Sequence, residues 1–125
     1  MIRGTVVGAR EAMVQLPVRS DAGQELDIQF VVDTGFTEEL VLPPAIVSSL
    51  GLRYHSSTYA TMGDGSVVSI DVYTATILWD SRSRIVKVHE AGGGPLIGMG
   101  LLSGHRMCMD VLDGGAVTID SLPRP

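Results

Sequence analysis

Short segments in which apolar and polar residues alternate run through the whole chain, and they predict β-strands joined by tight turns. The first two segments are residues 2–8 and 12–18, and a third covers residues 26–32. In the third segment the apolar positions first alternate and then run continuously, as in a strand whose end is buried on both faces. Further strand-like segments are residues 40–42, 53–61, 67–79, 85–89, 107–112 and 116–120.

One segment instead has the pattern of a short helix. Residues 43–52 begin with two prolines and end next to Gly51, which matches the usual asymmetry of helix termini. A second helical turn is predicted after residues 95–98, and turns are predicted at residues 20–24 and 80–84. The pattern therefore predicts a single all-β domain over residues 1–125, with one or two short helices and a frayed tail at residues 121–125.

A hairpin with a glycine-rich tip is predicted near the middle of the chain. Met62, Gly63, Asp64, Gly65 and Ser66 separate two strand-like segments. The tip carries little that could pack, so it should be mobile, and Asp64 is most simply interpreted as a turn residue. In the strand that follows, even-numbered residues from 68 to 78 are predicted to share one face.

Composition and charge narrow the classes of function. The chain is 45% hydrophobic and 18% charged, as in an ordinary globular domain. Its net charge of −5 argues against nucleic acid or an anionic membrane as the main partner. We expect a cytoplasmic protein, because no signal-peptide pattern or membrane-spanning run is present and the single cysteine suits a reducing compartment.

The sequence Phe30-Val31-Val32-Asp33-Thr34-Gly35 is the main candidate for chemistry. An ionised carboxylate at the end of an apolar strand is costly unless it is hydrogen-bonded or shares a proton with a second acid. Gly35 permits a tight turn and Thr34 adds a hydroxyl that can donate or accept. These are properties of a general acid/base aspartate, although the same tripeptide also ends many strands as a plain turn.

Four features, in this order, resemble the retropepsin-like aspartic proteases, in particular the small single-domain bacterial and archaeal proteins of that clan. They are the motif Val31–Gly35, the helical segment Leu42–Val47, the glycine-tipped hairpin Met62–Ser66 and the apolar-glycine motif Pro95–Leu102. The resemblance implies a closed barrel, with the second motif packed beneath the active-site loop. It also implies that about residues 58–75 form a flap over an extended peptide.

The resemblance further implies an aspartic endopeptidase with peptide or protein substrates and no metal or other cofactor. Its catalytic residues would be Asp33, Thr34 and Gly35. Its substrate-binding residues would be Phe36, Met62, Gly63, Asp64, Gly65, Leu96 and Ile97. The mechanism needs two carboxylates, and the chain has one such motif, so the resemblance implies a homodimer with one Asp33 from each subunit.

Two positions depart from the family pattern. Phe36 follows the glycine, where retroviral members usually have alanine, and Met99 stands where they carry an arginine that braces the dimer. The C-terminal strand exchange of the retroviral dimer is also in question, because this chain ends in its own hairpin. The alternative is therefore a non-catalytic module that uses the same barrel for dimerisation or peptide binding.

Other candidate groups favour structural roles. The three histidines, His55, His89 and His105, show no metal-ligand spacing. His105 precedes Cys108 by three residues, which could indicate a thiol nucleophile. No third orienting group is evident, however, so a partly buried structural cysteine is favoured.

Overall fold

The structure, a computed structural model, describes residues 1–123, which form ten strands and two short helices. In chain order they are β1 (Ile2–Val7), β2 (Glu11–Arg19), β3 (Glu25–Val32), β4 (Leu40–Leu42), α1 (Pro44–Leu50), β5 (Arg53–Thr61), β6 (Val67–Trp79), β7 (Arg82–Glu90), β8 (Leu96–Ile97), α2 (Met99–Leu102), β9 (His105–Met109) and β10 (Ala116–Ser121). The predicted all-β class with short helices is confirmed.

All ten strands belong to one sheet with the order β5-β6-β7-β4-β8-β3-β2-β1-β10-β9. A further pairing of β2 with β6 bends the sheet back on itself. This contact comprises only two residue pairs, Val18 with Ile77 and Arg19 with Thr76. Strands β5 and β9 remain at the two ends of the order, so the barrel is less completely closed than the sequence analysis expected.

The core fills the curled sheet with aliphatic side chains and Phe30, which is fully buried. Helix α1 contributes Val47 and Leu50 to it. Pro43 is the N-cap of the helix and Pro44 its first residue, as predicted, and Gly51 ends it in the left-handed region at φ 63° and ψ 47°. The Gly51 N–H there donates to the carbonyl oxygen of Ser48.

The connection between β6 and β7 is shorter than predicted. Asp80 and Ser81 both have positive φ, 50° and 67°, and Arg82 already pairs with Trp79. Two consecutive positive-φ residues are typical of the tight hairpin turns that match strand twist, and glycine or asparagine usually marks them. The predicted turn at residues 80–84 was therefore wrong at its C-terminal end.

Strand β6 is not buried on one face along its whole length. Val72 is buried, but farther along Ala75, Ile77 and Trp79 are buried while Leu78 is 47% exposed. The strand runs from the hairpin into the barrel, and its two parts are covered on opposite faces. The even-numbered residues predicted to share a face pair with β7 from Val72 onward without a register shift, but Val72 alone among them is buried.

Of the predicted tail at residues 121–125, Ser121 belongs to β10, where it pairs with His105. The Leu122 N–H donates to the carbonyl oxygen of Gly104. Residues 124 and 125 lie outside the described part of the chain. Within that part, no helix combines the length and the apolar character needed to cross a membrane.

Candidate active site

The Asp33 loop begins where β3 meets the inserted strand β8. Val32 pairs with Ile97 in parallel orientation, and Leu40 pairs with the same residue in antiparallel orientation, so β8 lies between β3 and β4. The Asp33 N–H donates to the Ile97 carbonyl oxygen at 2.8 Å. Since Ile97 is fully buried, this bond fixes the first residue of the loop to the core.

Within the loop, the Asp33 carboxylate is held by the backbone that follows it. The Gly35 N–H donates to Asp33 Oδ1 at 2.9 Å, and the Phe36 N–H donates to the Asp33 carbonyl oxygen at 3.2 Å. Asp33 is half-buried, whereas Thr34 and Gly35 are exposed. One carboxylate is thus oriented by its own turn and stays partly open to solvent.

The second apolar-glycine motif lies directly against this loop. The Met99 N–H donates to the Phe36 carbonyl oxygen at 2.7 Å, and the Gly98 N–H donates to that of Glu39 at 2.9 Å. A Cβ atom on Gly98 would collide with the Glu38 carbonyl oxygen and the Phe36 ring. Glycine is required here by close packing, because the Gly98 backbone itself is extended.

A cleft of about 390 Å³ opens between this loop and the β5–β6 hairpin. Its lining residues are Gly35, Phe36, Thr37, Glu38, Val41, Thr58, Tyr59, Ala60, Ile70, His89 and Ala91. The structure thus brings the predicted residues Gly35 and Phe36 to one wall and part of the predicted flap to the other.

Other residues predicted to bind substrate lie outside the cleft lining. Met62, Gly63, Asp64 and Gly65 are exposed at the tip of the hairpin, Leu96 is half-buried and Ile97 is fully buried in the core. Tyr59, Ile70 and His89 were not predicted as site residues. Strand alternation alone does not show which face of β5, β6 or β7 meets the loop, so the sequence carried little signal for them.

His89 is the titratable side chain with a perturbed pKa in this cleft. Its ring packs edge-on against Phe36 at a centroid distance of 5.7 Å, and its Nδ1 atom is buried with no hydrogen-bond partner among the described residues. Burial lowers the pKa of His89 below its ordinary value of 6.5; the nearby Glu38 and Glu39 oppose this shift and Lys87 adds to it. The neutral ring is therefore favoured.

Glu39 ties the loop to β7. Its carboxylate accepts hydrogen bonds from the Lys87 N–H at 2.9 Å and from Arg84 Nη2 at 3.2 Å. Both bonds are made at the C-terminal end of the loop that begins with Asp33. They fix that end to β7, as the bond between Asp33 and Ile97 fixes its beginning to β8.

The hairpin tip is closed by Asp64. Its Oδ1 atom accepts hydrogen bonds from the Ser66 N–H at 2.9 Å and from the Ser66 hydroxyl at 2.6 Å. These bonds lower the pKa of the Asp64 carboxyl, since they stabilise its charged form. Asp64 therefore has the turn role that was favoured for it.

The other candidate groups form no second site. His105 accepts a hydrogen bond from Trp79 Nε1 at 3.1 Å, and its Nδ1 atom lies 3.0 Å from the Ser103 carbonyl oxygen. Cys108 is exposed, so its predicted partial burial was wrong. Three residues apart on one strand, the imidazole and the thiol face opposite sides. Within residues 1–123, no group of His, Cys, Asp or Glu side chains could hold a metal ion.

Comparison with solved structures identifies the fold of the chain. No family model and no curated protein sequence matches the chain. A solved retropepsin-like aspartic protease from Rickettsia conorii superposes with a TM-score of 0.58 at 15% identity, covering 98% of this chain and 91% of that one. EIAV protease in complex with the inhibitor HBY-793 superposes with a TM-score of 0.56 at 18% identity, covering 74% and 86%. The chain therefore has a retropepsin-like fold.

Proposed function

We propose that this chain is an aspartic endopeptidase that acts as a homodimer, with one Asp33 from each subunit forming the catalytic pair. The observation that carries the proposal is the Asp33-Thr34-Gly35 loop, whose Gly35 lines a cleft between the loop and the long β5–β6 hairpin and donates its N–H to the Asp33 carboxylate, in a retropepsin-like fold. The fold alone would not establish the reaction, so the argument depends on this site.

The chemistry requires two carboxylates that share one proton. Like charges at hydrogen-bond distance cannot both ionise, so one carboxylate remains a base and the other remains an acid. The base takes a proton from water, which attacks the carbonyl carbon of the peptide bond, while the acid protonates the carbonyl oxygen. A single chain supplies one Asp33 carboxylate, held by the Gly35 N–H, and the proposed partner supplies the second.

Thr34 and Gly35 would lie where the Asp33 loops of the two subunits contact each other. Both are exposed in the single chain, next to a half-buried Asp33. In the proposed dimer, the Thr34 hydroxyl hydrogen-bonds across the twofold axis beneath the carboxylates. Gly35, with no side chain, leaves room for the opposite loop.

The cleft suits an extended peptide with apolar side chains. Phe36, Val41 and Ile70 give it apolar walls, and Tyr59 stands at its rim with 79% of its surface exposed. Strand β5 is one end of the sheet, so its outer backbone groups are open to pairing with a peptide.

In this proposal the tip residues Met62–Gly65 close over the bound peptide as a flap. Leu96 and Ile97 act from beneath the loop, because Ile97 is fully buried. Their predicted contact with substrate stays a prediction.

Cleavage of a mixed peptide library between about pH 4 and 7 tests the proposal, since a carboxylate pair works in that range. Wild type, Asp33→Asn and Asp27→Asn would be assayed at several protein concentrations. Asp27 lies on β3, the strand that leads into Asp33, and it is exposed and absent from the cleft lining, so it serves as a matched control. We expect cleavage by wild type and Asp27→Asn, none by Asp33→Asn, and a rate that rises faster than linearly with protein concentration.

A peptide-binding module without catalysis is the second candidate. The Phe36 ring favours it, because it lies against His89 in the wall of the cleft and departs from the small residue usual at this position. In that case wild type and Asp33→Asn would bind the same peptides with equal affinity and neither would cleave them. Absence of cleavage at every concentration, with the fold intact, would support this second candidate.

A further inference from the structure

The imidazole ring of His105 is held through both of its nitrogen atoms. Trp79 Nε1 donates to His105 Nε2 at 3.1 Å, and His105 Nδ1 lies 3.0 Å from the Ser103 carbonyl oxygen. A ring nitrogen that accepts an N–H carries no proton, so the proton of the neutral ring is on Nδ1, which donates to Ser103. The two bonds therefore select one tautomer of the uncharged ring.

The indole of Trp79 has one N–H to donate, and it is placed where few acceptors are available. Trp79 is only 5% exposed. Its ring also packs edge-on against His105, with a centroid distance of 5.4 Å and an interplanar angle of 76°. A buried donor without an acceptor is costly, so this contact stabilises the junction between the end of β6 and the start of β9.

A different partner lies within reach of the same His105 nitrogen. Ser121 pairs with His105 across β9 and β10, and its Oγ atom lies 3.5 Å from His105 Nε2. When the ring is neutral, Nε2 has one lone pair, which the Trp79 N–H occupies. When the ring is protonated, Nε2 becomes a donor, and the Ser121 hydroxyl oxygen can accept from it. Protonation therefore replaces the Trp79 bond by a bond to Ser121.

The charged groups around this junction are the N-terminal ammonium group and side chains from the β6–β7 turn, β7 and β10, namely Asp80, Arg82, Arg84 and Asp120. Asp80 lies within electrostatic range of both His105 and Arg82. It also accepts a hydrogen bond from the N-terminal ammonium group at 2.6 Å. Arg84 is paired with Glu39, whereas Arg82 makes no ion pair within residues 1–123. One carboxylate therefore attracts a proton to the ring and one guanidinium group repels it.

A cavity of about 570 Å³ adjoins both sides of this exchange of partners. Its lining residues are Trp79, Asp80, Arg82, Ser83, Arg84 and Ser121. A cavity of this size with polar walls holds water. Water there can accept the indole N–H that a protonated His105 no longer accepts, so the second arrangement does not require the core to unfold.

We propose that His105 is an acid-sensitive switch at the junction of β6, β9 and β10. Above the pH range in which histidine titrates, Nε2 accepts from Trp79 and ties β6 to β9. Below that range, Nε2–H donates to Ser121 and the indole N–H turns to water in the cavity. Leu101 is fully buried in α2 and anchors the chain ahead of His105, so the rearrangement stays local.

The fluorescence of Trp79 tests the switch, because Trp79 is the sole tryptophan of the sequence. We expect the wild-type emission to titrate once between about pH 8 and 5, and the change to disappear in His105→Gln, whose side-chain oxygen accepts from the indole at every pH. His55→Gln and His89→Gln are the controls and should titrate as wild type does. A titration that survives in His105→Gln, or a wild-type emission that stays constant, would overturn the switch.

Two substitutions should move the titration midpoint of His105 in opposite directions. Ser121→Ala removes the acceptor of the protonated ring and should lower the midpoint by about 0.5 pH unit or more. Trp79→Phe removes the donor to the neutral ring and should raise the midpoint by a similar amount. Proton NMR of the imidazole C–H groups measures both midpoints.

Thr118→Ala is the matched control for these two variants. Thr118 lies on β10 at the position opposite Cys108, on the other face of the strand from Ser121, so its substitution should leave the midpoint of His105 unchanged. A purely structural role of the junction would not give shifts of opposite sign. Shifts of the same sign in Ser121→Ala and Trp79→Phe, or no shift in either, would overturn the proposal.

Hydrogen exchange of the Trp79 indole proton measures the opening itself. Its protection, relative to a free indole at the same pH, should fall at least about tenfold between pH 7.5 and 5.5 in wild type. In His105→Gln the protection should stay constant. Equal protection of wild type at the two pH values would contradict the switch.

These outcomes are independent of the proposed function. A protein in which the Trp79 signal titrates through His105 but which cleaves no peptide would keep the switch and lose the endopeptidase. A peptidase in which this signal does not titrate would keep the proposed function and lose the switch.

Discussion

At the scale of single residues, Gly98 is a position where one added methyl group should disturb the Asp33 loop. A Cβ atom there would collide with the Glu38 carbonyl oxygen and the Phe36 ring, both in the loop that carries Asp33. We expect Gly98→Ala to lower the free energy of unfolding by about 1–3 kcal/mol, because backbone must move to make room. Urea denaturation measures the change.

Gly92→Ala is the matched control for this substitution. A Cβ atom at Gly92 would meet no atom within 4 Å, and its φ lies outside the left-handed region. Its free energy of unfolding should stay within about 0.5 kcal/mol of wild type. Equal effects of the two alanines would show that the close packing of Gly98 on the loop does not matter for stability.

His89 leads to a prediction of how the stability of the fold depends on pH. Burial lowers its pKa in the folded state below the ordinary 6.5, so the unfolded chain binds this proton first as the pH falls. The stability that the neutral ring contributes is therefore complete above about pH 6.5 and is lost as the pH falls from there towards the lowered pKa.

Replacing His89 by glutamine should make the free energy of unfolding depend less on pH in this range. Urea unfolding of wild type and His89→Gln at pH 7.5, 6.5, 5.5 and 4.5 would measure it, with the exposed His55→Gln as a control. A wild-type slope that survives intact in His89→Gln would assign the acid sensitivity to other groups.

At the scale of elements, the hairpin of β5 and β6 forms one wall of the cleft. Tyr59 is 79% exposed there and makes little contribution to the core. If peptides bind in the cleft, Tyr59→Ala should raise KM about fivefold, as for an interface residue that contributes about 1 kcal/mol, and leave unfolding unchanged. Steady-state kinetics and urea denaturation measure the two quantities.

Ile85 provides the comparison for Tyr59. It is 76% exposed on β7 and does not line the cleft. Ile85→Ala should leave KM as in wild type. A rise in KM of the same size in both variants would mean that the hairpin face is not the peptide-binding surface.

A second element-scale contact joins β6 to β9. Trp79 Nε1 donates to His105 Nε2 at 3.1 Å, and Trp79 is only 5% exposed. His105→Leu leaves this indole N–H without its acceptor, so we expect the free energy of unfolding to fall by about 1–3 kcal/mol. His55→Leu on the exposed strand β5 should change it little, and equal losses in both variants would argue against the contact.

The sequence predicted most elements because their signals are local. The alternation of apolar residues, the two prolines at the start of α1 and Gly51 after it are all signals that involve neighbours a few positions away. The turn at Asp80 and Ser81 was predicted too long because neither residue is the glycine or asparagine that usually adopts positive φ. Strand pairing, not local sequence, decides that Arg82 is already in β7.

The buried face of each strand and the closure of the barrel were harder to predict, because they depend on contacts between residues far apart in the sequence. The burial of Ala75 and Ile77 on β6 depends on which half of the strand lies over the core. The incomplete barrel depends on how many residues of β2 reach β6. For the same reason, the sequence did not single out Tyr59 or His89, which reach the cleft from strands distant in the chain.

At the scale of the whole molecule, catalysis is expected to require two chains. Each chain has one Asp33, held by the Gly35 that lines the cleft, and residues 1–123 contain no second Asp-Thr-Gly motif. Activity should therefore depend on protein concentration and on both copies of Asp33.

The most direct test of a shared site mixes wild type with Asp33→Asn at constant total concentration, after exchange of subunits. If both aspartates of a dimer are needed, an equal mixture should retain about one quarter of the wild-type activity, since only dimers of two wild-type chains are active. Mixing with Asp27→Asn should cause no loss. Retention of about one half, in proportion to the wild-type chains, would contradict the shared site and place catalysis within single chains.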